Sequence, residues 1–412
     1  MTAPALPITR TCPYAPAPEH VRLREEAPVT RVTLPNGGQA WALSRLDDIR
    51  TMLVDPRFSS DRFHPNFPTL LTTRPTARRG RPMLIMMDPP DHTTARRSVV
   101  GEFTVKRIAA LRPRIQQIVD QHVDAMLAGP RPADLVQALA LPVPSLVICE
   151  LLGVPYQDHD FFQRNTRVLI SRTSEREQRE SAGDALRGYM GDLIDRKSGV
   201  STGGARLRQS PAPAAPPGEP GTDLLSRQLA AGADRDDLVS MGFLLLIAGH
   251  ETTANMISLG TLALLENPDQ LALLRAEPRR IPDAVEELLR YFTIAEFATS
   301  RVAREDVEIG GVLIRAGEGV IALGNTANRD PAAFEDADRL DVTRGARHHI
   351  AFGFGAHQCL GQNLARVELH IVFETLFRRV PGLRLAVPAD ALPFKDDASI
   401  YGLYELPVSW EA

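Results

Sequence analysis

The loop around Cys359 restricts the possible folds of this chain more than any other segment. Residues 352–361 read Phe-Gly-Phe-Gly-Ala-His-Gln-Cys-Leu-Gly, so a lone cysteine lies among three glycines. The apolar residues that follow recur at the 4-3-4 spacing of one helix face and predict a helix over 362–379: Leu360, Leu364, Val367 and Ile371. A helix N-terminus favours the thiolate form of such a cysteine, and glycines let the backbone approach a flat partner closely. The alternative is a buried structural cysteine.

A second motif lies upstream, in an apolar stretch that predicts a long helix over 238–266. Its central residues are Ala248-Gly249-His250-Glu251-Thr252-Thr253. Adjacent threonines are poor helix formers, and a hydroxyl inside a helix can disturb the hydrogen-bond ladder and leave room for water. The stretch therefore indicates either tolerated burial of polar residues or an acid–alcohol pair that handles protons.

Both motifs resemble signatures of the cytochrome P450 family. The loop matches the haem-binding pattern FGxGxHxCxG at every fixed position, and the helix matches AGx[DE]T[TS]. The resemblance implies a mainly α fold with small β-sheets (α+β), in which haem b is sandwiched between the long central helix and the cysteine-loop helix. It also implies that Cys359 is the axial thiolate ligand of the haem iron. The further haem contacts that it implies in this loop are Phe352, Gly353, His357 and Gly361.

The same resemblance assigns the long helix to oxygen activation. It implies that Ala248 and Gly249 lie against the haem and that Gly249 leaves room for oxygen and substrate. It also implies that Thr252 hydrogen-bonds the oxygen and that Glu251 relays protons to it. Peroxide-driven relatives typically replace this acid–alcohol pair, so its presence favours O2 and electrons from a partner. A non-catalytic haem-thiolate sensor, the alternative class, would need the cysteine but not the pair.

Cations for the two haem propionates are expected from three further segments. Residues 88–96 match the family pattern DPPxHxxxR, which places His92 and Arg96 on one helix face. Arg301 and the loop residue His357 complete the expected set.

Glu287 and Arg290 match the ExxR pair of the family. The resemblance implies that this pair is buried and structural, because breaking one side of a buried pair is costly. Its third partner is expected at Arg339, although Ala337 and Leu340 replace the usual Pro and Phe around it.

Composition excludes several other classes. The net charge of -4 gives no reason to expect nucleic acid or an anionic membrane as a partner. Three cysteines without a CxxC pair form no disulfide framework. The segment 1–18 lacks the pattern of a secretion signal, and the apolar run 241–249 is too short to span a bilayer. We expect a soluble, cytoplasmic monomer.

Secondary-structure signals predict one cytochrome P450 domain over 1–412. Turn residues predict a hairpin over 28–43 and short strands over 299–321. Apolar periodicity predicts helices over 91–129, with Pro113 at a helix start, and over 133–152, 158–196 and 282–291. Residues 197–222 hold five prolines and five glycines, which predicts a flexible surface excursion.

Electrons are expected from ferredoxin, ferredoxin reductase and NAD(P)H. The segment 74–114 carries ten Lys or Arg against three acidic residues, which predicts a positive surface for an acidic ferredoxin. The resemblance implies a mostly apolar substrate pocket, and therefore a medium or large lipophilic substrate such as a macrolide, polyketide, terpenoid or steroid. Hydroxylation is the leading expectation, with epoxidation, dealkylation or coupling as alternatives. The implied pocket segments are 63–85, 167–183, 243–248, 294–298 and 400–401.

Overall fold

The computed structural model describes residues 3–71, 80–199 and 221–411, most of them helical. The helices are α1 (Pro18–Glu26), α2 (Leu46–Val54), α3 (Asp91–Val100), α4 (Val105–Ala128), α5 (Pro142–Leu152), α6 (His159–Ile170), α7 (Arg176–Lys197), α8 (Leu224–Ala230), α9 (Arg235–Glu266), α10 (Pro268–Ala276), α11 (Ile281–Phe292), α12 (Gly324–Ala327) and α13 (Gln362–Arg379). The strands are β1 (Val29–Thr33), β2 (Gln39–Leu43), β3 (Phe58–Ser59), β4 (Ala133–Asp134), β5 (Ser300–Ala303), β6 (Val307–Ile309), β7 (Val312–Ile314), β8 (Gly319–Ala322), β9 (Arg384–Leu385) and β10 (Pro407–Ser409).

The helices are organised around α9. Asp234 caps its start, because its carboxylate accepts hydrogen bonds from two N–H groups of the first turn. Pro268 follows its end, and the residue before a proline is disfavoured in helical conformation. The neighbours α5, α7 and α13 pack against α9 around an extended apolar core. The contact with α13 requires Gly260, where a Cβ would lie 2.5 Å from the Phe373 ring.

The strands of the described residues form small sheets beside this helical core. One sheet has the order β1-β2-β8-β5-β3, a second β4-β10-β9, and a third pairs β6 with β7. The predicted hairpin is present, with Val29 opposite Leu43 and the turn residue Gly37 at φ 79°. A separate apolar cluster joins this hairpin to α2 and to β5–β8. The expected mainly α fold with small β-sheets is therefore confirmed.

Three local predictions are wrong. The segment 158–196 is not one helix, because α6 ends at Ile170 and α7 begins only at Arg176. Pro113 lies inside α4, which begins after Thr104, whose hydroxyl accepts a hydrogen bond from the Arg107 N–H. The cap decides the start, and the proline only removes one bond of a long ladder. The segment 133–152 is not one helix either, because β10 pairs with β4 and a π-helical turn, Val136–Ala140, precedes α5.

The predicted excursion over 197–222 lies mostly outside the described residues, which include only 197–199 and 221–222 of it. The helix ends on its two sides are joined, because Lys197 Nζ donates to Asp223 Oδ2 at 2.7 Å. Among the helices of the described ranges, none combines the length and apolar character that a bilayer crossing needs.

Candidate functional site

The cysteine loop connects an irregular segment to α13. Gly353 and Gly355 both have φ 70°, a conformation that favours glycine. A Cβ on Gly355 would also lie 2.7 Å from the Leu53 carbonyl oxygen. The Cys359 N–H donates to the Phe352 carbonyl at 2.8 Å. Turn geometry and this hydrogen bond therefore hold the cysteine at the N-terminus of α13.

The Cys359 thiol has accessible surface within a buried environment. The residue is exposed by area, yet burial raises the pKa of its thiol, so its accessible surface faces an internal space. Hydrogen bonds from the backbone N–H groups of Gly361 and Gln362 oppose that rise, as do the charges of Arg96 and Arg366. These donors favour an anionic sulfur, which is the form that binds metals. A Cβ on Gly361 would meet no described atom within 4 Å, so packing does not require glycine there.

The expected cations gather beside this loop, and we call His92, Arg96, Arg301 and His357 the His357 cluster. The His92 and His357 rings lie 3.9 Å apart between centroids. Arg96 donates to the Gln358 carbonyl at 2.7 Å, and the buried Arg301 donates to the Ser300 carbonyl at 2.8 Å. Helix α3, strand β5 and the cysteine loop thus bring together positions that are distant in sequence.

The His357 cluster is short of negative charge. Burial lowers the pKa of His357 to about 3, and the charges of Arg301 and His92 add to this effect. Burial likewise lowers the pKa of Arg301 to about 10, with a contribution from Arg62. Asp88 acts in the opposite direction, but its carboxylate is already bound by Ser59, Ser60 and Arg304. His92 Nε2 is buried and has no hydrogen-bond partner among the described residues. The cluster is therefore suited to an anionic ligand.

The middle of α9 presents two accessible positions on one face. Ala248 is exposed and Thr252, one turn later, is half-buried, whereas Glu251 between them is buried. The Thr252 hydroxyl donates to the Ala248 carbonyl at 2.8 Å. This is the local competition between a threonine side chain and the helical ladder that the sequence predicts.

The structure requires glycine at position 249 for a different reason from the expected one. A Cβ at this position would lie 2.7 Å from Ile148 Cδ1 of α5, so the glycine permits the close approach of α5 to α9. The expectation that Gly249 leaves room for oxygen and substrate is wrong in this respect, because its missing side chain points at another helix. Ala248 is the small residue on the accessible face.

Glu251 has a partner that the motifs do not reveal. Lys395 Nζ donates to Glu251 Oε1, and also to Asn255 Oδ1 at 2.9 Å. Burial acts to raise the pKa of Glu251, but the charges of Lys395 and then His250 lower it by more than burial raises it. The pKa of Glu251 therefore lies below its ordinary value. Glu251 is therefore a buried carboxylate that one buried ammonium group holds.

Glu287 and Arg290 form a fully buried ion pair, with Arg290 Nε 2.7 Å from Glu287 Oε2. Arg290 also donates to the Asn328 and Ala337 carbonyls, at 2.8 and 2.7 Å. The expectation for Arg339 is wrong, because its side chain is exposed and only its carbonyl accepts from Arg290, at 3.3 Å. The third side chain is Arg344, whose Nε lies 3.2 Å from Glu287 Oε1. We call Glu287, Arg290 and Arg344 the Glu287 network.

Comparison with known proteins decides the family. A sequence model described as Cytochrome P450 matches residues 224–381. The chain belongs to the cytochrome P450 family. It is 51% identical to pentalenic acid synthase of Streptomyces avermitilis, over 98% of this chain and 97% of that protein. It resembles the crystal structure of cytochrome P450 MoxA (CYP105) from Nonomuraea recticatena, with 57% identity, TM-score 0.87 and coverage of 99% and 98%. It also resembles CYP105P1 in complex with filipin I, with 43% identity, TM-score 0.90 and coverage of 100% and 99%.

The protein is thus a P450 monooxygenase of a bacterial, actinomycete branch, and its family uses haem iron. The described residues fit that group in two respects. The Cys359 thiol has accessible surface that faces an internal space, and backbone N–H groups point at its sulfur. The His357 cluster offers positive charge and an unpartnered buried His92 nitrogen to an anion. An iron porphyrin carries both a metal for the thiolate and carboxylates for the cations.

Sequence reasoning missed three residues around the site: Arg62, Arg344 and Lys395. Arg62 acts electrostatically on Arg301, and the other two contact carboxylates of the motifs. Arg62 and Lys395 belong to no matched motif. Arg344 lies close to Arg339 in the same irregular segment, so the departure from the family pattern around Arg339 was the available signal.

Proposed function

We propose that Cys359 is the axial ligand of haem b and that the protein hydroxylates a medium or large lipophilic molecule with O2. The observation that carries the proposal is the placement of one accessible thiol beside the His357 cluster, while Ala248 and Thr252 form an accessible face of α9. When bound, the haem iron supplies the oxygen-activating chemistry. A domain that spans 1–412 and acts as a monomer in the cytoplasm is part of the proposal.

His92, Arg96, Arg301 and His357 would hold the two propionates. Arginine side chains give charge-assisted hydrogen bonds to carboxylates, and the buried His92 Nε2 can take part in one. Phe352 would shield the sulfur. Its ring lies under the Arg366 guanidinium at 4.6 Å, and Glu286 binds that guanidinium. Gly353 supports the same loop through its left-handed backbone.

Thr252 and Glu251 would handle protons. The Thr252 hydroxyl donates its one proton to the Ala248 carbonyl, so its lone pairs would accept a hydrogen bond from a protonated oxygen on the accessible face. Glu251 precedes Thr252 in α9, and Lys395 balances its charge. A positioned carboxylate can pass protons from water toward that hydroxyl. This division of roles also argues against a sensor, which needs no proton delivery.

The substrate class rests on relatives and on the lining of the pocket. CYP105P1 has been crystallised with filipin I, and another relative is a pentalenic acid synthase. In this chain, the expected pocket segments contribute buried apolar side chains, among them Phe243, Ile294 and Tyr401. These observations support a macrolide, polyketide, terpenoid or steroid. The same scaffold serves epoxidation, dealkylation or coupling, and product analysis separates these reactions.

A ferredoxin with its reductase and NAD(P)H is the proposed electron source. The described part of the positive segment is 80–114, and on α3 and α4 it exposes several basic side chains: Arg97, Lys106, Arg107 and Arg112. Such a surface attracts an acidic partner through charge. An electron-transfer rate that does not fall with added salt would contradict the assignment.

Absorption spectroscopy tests the central claim. The dithionite-reduced protein with carbon monoxide should give the strongly red-shifted Soret band of thiolate-ligated haem, and Cys359→His should lose it. Folded protein with the histidine-type band, or without haem, would refute the proposal.

Thr252→Ala tests proton handling. The variant should keep the carbon monoxide band, because the hydrogen bond of the Thr252 side chain goes to Ala248 of the same helix and not to the cysteine loop. It should form much less product per NADPH and release hydrogen peroxide, since general acid–base groups contribute roughly 10²–10⁴-fold. Serine restores the hydroxyl, so Thr252→Ser is the matched control. Unchanged product yield in Thr252→Ala would show that the hydroxyl has no such role.

A further inference from the structure

Lys395 is a buried cation whose location no motif explains. It follows α13 in the C-terminal irregular segment and is 8% exposed. Its Nζ contacts Glu251 Oε1, lies 2.9 Å from Asn255 Oδ1, and lies 5.6 Å from the centre of the Tyr404 ring. Removing a lysine from water is costly unless it is paired, so the pair with Glu251 accounts for its burial. The pair ties the C-terminal segment to the middle of α9.

Other charged or titratable groups also act on Glu251. They are His250 on the same helix, Arg167 on α6, and Tyr404, whose hydroxyl donates to Asp397 at 2.7 Å. Within the described ranges, Lys395 has a hydrogen bond to Glu251, whereas these three groups have none. Lys395 therefore fixes the position of the carboxylate, while the others contribute through distance-dependent charge.

Lys395 also lines a small polar cavity. Its volume is about 20 Å³, enough for roughly one water molecule. Buried Arg10 and Lys395 line it together with exposed Asp396 and Ser399, so the cavity lies between the protein surface and Lys395. Arg10 Nη1 is buried and has no partner among the described residues, which gives a water in the cavity a donor to bind.

We propose that Lys395 is a positioning residue for Glu251 and that protons reach Glu251 from solvent through this cavity. The inference rests on the proposed function, because it gives Glu251 its protons. Only protons move. The Lys395 ammonium gives a proton to the Glu251 carboxylate and then takes one from a cavity water, which recovers a proton from bulk water, while Glu251 passes its proton toward Thr252. Lys395 and Glu251 end in their starting forms.

Infrared titration of the haem-containing protein tests the positioning role without turnover. The carboxyl band of Glu251 is the one that Glu251→Gln removes, whereas the buried Glu368, whose pKa burial raises well above the ordinary value, supplies a constant reference band. In Lys395→Met the midpoint of the Glu251 band should move to higher pH by roughly one pH unit or more, because the cation is gone. Lys395→Arg should stay near wild type.

Lys197→Met is the matched control, since Lys197 forms a half-buried ion pair with Asp223 outside this site. It should leave the Glu251 band unchanged. An unchanged band in Lys395→Met, or an equal change in Lys197→Met, would overturn the positioning role.

Turnover tests the proton route, with 7-ethoxycoumarin as the probe and a plant-type ferredoxin and its reductase as the electron source. Lys395→Met should lower product per NADPH by roughly tenfold to a hundredfold, with more peroxide and a larger solvent deuterium isotope effect. Ala398→Val should narrow the cavity and raise the isotope effect while leaving the infrared midpoint in place, because Ala398 lines the cavity. An isotope effect equal to that of wild type in both variants would overturn the route.

Different results would refute the proposed function and the role of Lys395. Loss of the red-shifted carbon monoxide band in the wild type would end the proposed function, whatever the infrared result. A normal band together with Lys395→Met that behaves like Lys197→Met would end only the role of Lys395.

Discussion

The Glu287 network and the His357 cluster are both buried groups of charges, but they differ in how completely their members are paired. In the Glu287 network, Arg290 donates to Glu287 and to three carbonyls, and Glu287 also accepts from Arg344 and the Asp341 N–H. In the His357 cluster, Arg96 and Arg301 donate to carbonyl oxygens and to no carboxylate among the described residues, and burial lowers the pKa of His357 to about 3. A buried His92 nitrogen has no partner among those residues.

The difference separates stability from ligand binding. A buried charge with every partner in place holds segments of the chain together, and removing one partner exposes the rest to an uncompensated cost. A buried cluster of like charge costs stability by itself and is retained where a ligand of opposite charge offsets that cost. The Glu287 network joins α11 to the irregular segment before the cysteine loop, and the His357 cluster faces that loop.

The largest expected effect comes from breaking the Glu287 network. Glu287→Gln keeps the shape but leaves Arg290 buried without a charged partner, so the free energy of unfolding should fall by about 3–5 kcal/mol. Urea unfolding measures the change. Arg339→Gln is the control, because that side chain is exposed, and it should change stability by less than about 0.5 kcal/mol. Equal losses in the two variants would contradict the assignment of the third partner to Arg344.

A smaller effect is expected in the His357 cluster, and on a different measurement. Arg301→Gln removes a cation whose loss should weaken haem retention, because a hydrogen bond to a charged group contributes about 1.5–3 kcal/mol. Haem release to excess apomyoglobin should therefore become roughly tenfold to a hundredfold faster. Arg304→Gln, whose exposed side chain binds Asp88, serves as the control. Similar release from both variants would show that the cluster does not hold the propionates.

The smallest effect is a pH dependence at Glu286, the neighbour of Glu287. Burial acts to raise the pKa of Glu286, but His349 and Arg366 outweigh this effect and lower the pKa to about 2. A depressed carboxyl pKa stabilises the fold above the ordinary value of 4.5, and this contribution disappears as pH falls from 4.5 to about 2. The stability difference between wild type and Glu286→Gln should shrink over that range in urea unfolding. A difference that is constant with pH would indicate a packing effect alone.

Local patterns in the sequence predicted several of the main elements correctly. The helix expected over 362–379 has those bounds, and the hairpin over 28–43 forms between β1 and β2. Both are local features, in which apolar spacing or turn residues decide the outcome. Pro113 was misread for a related reason. A proline favours a helix start, but the Thr104 hydroxyl caps the same helix upstream of Pro113 and determines where α4 begins.

The candidate site shows the same difference between features that local patterns predict and features that depend on packing. Motifs of fixed spacing identified most of the candidate residues: Cys359, Glu251, Thr252, His92, Arg96 and His357. Arg301 was expected from the family resemblance without such a pattern. Gly249 was located but misinterpreted, since only the packed structure shows that Ile148 of α5 occupies the space beside it. Arg339 and Arg344 lie in one irregular segment, where no periodicity indicates which side chain turns inward.

The sequence by itself determined the family motifs, the main helices and the positions of the cysteine and the acid–alcohol pair. Tertiary structure alone decided which charges meet: Lys395 with Glu251 and Arg344 with Glu287. The physical reason is that apolar spacing and capping act between near neighbours in the chain. Pairing of a buried charge depends on which distant segment the fold brings within hydrogen-bond distance.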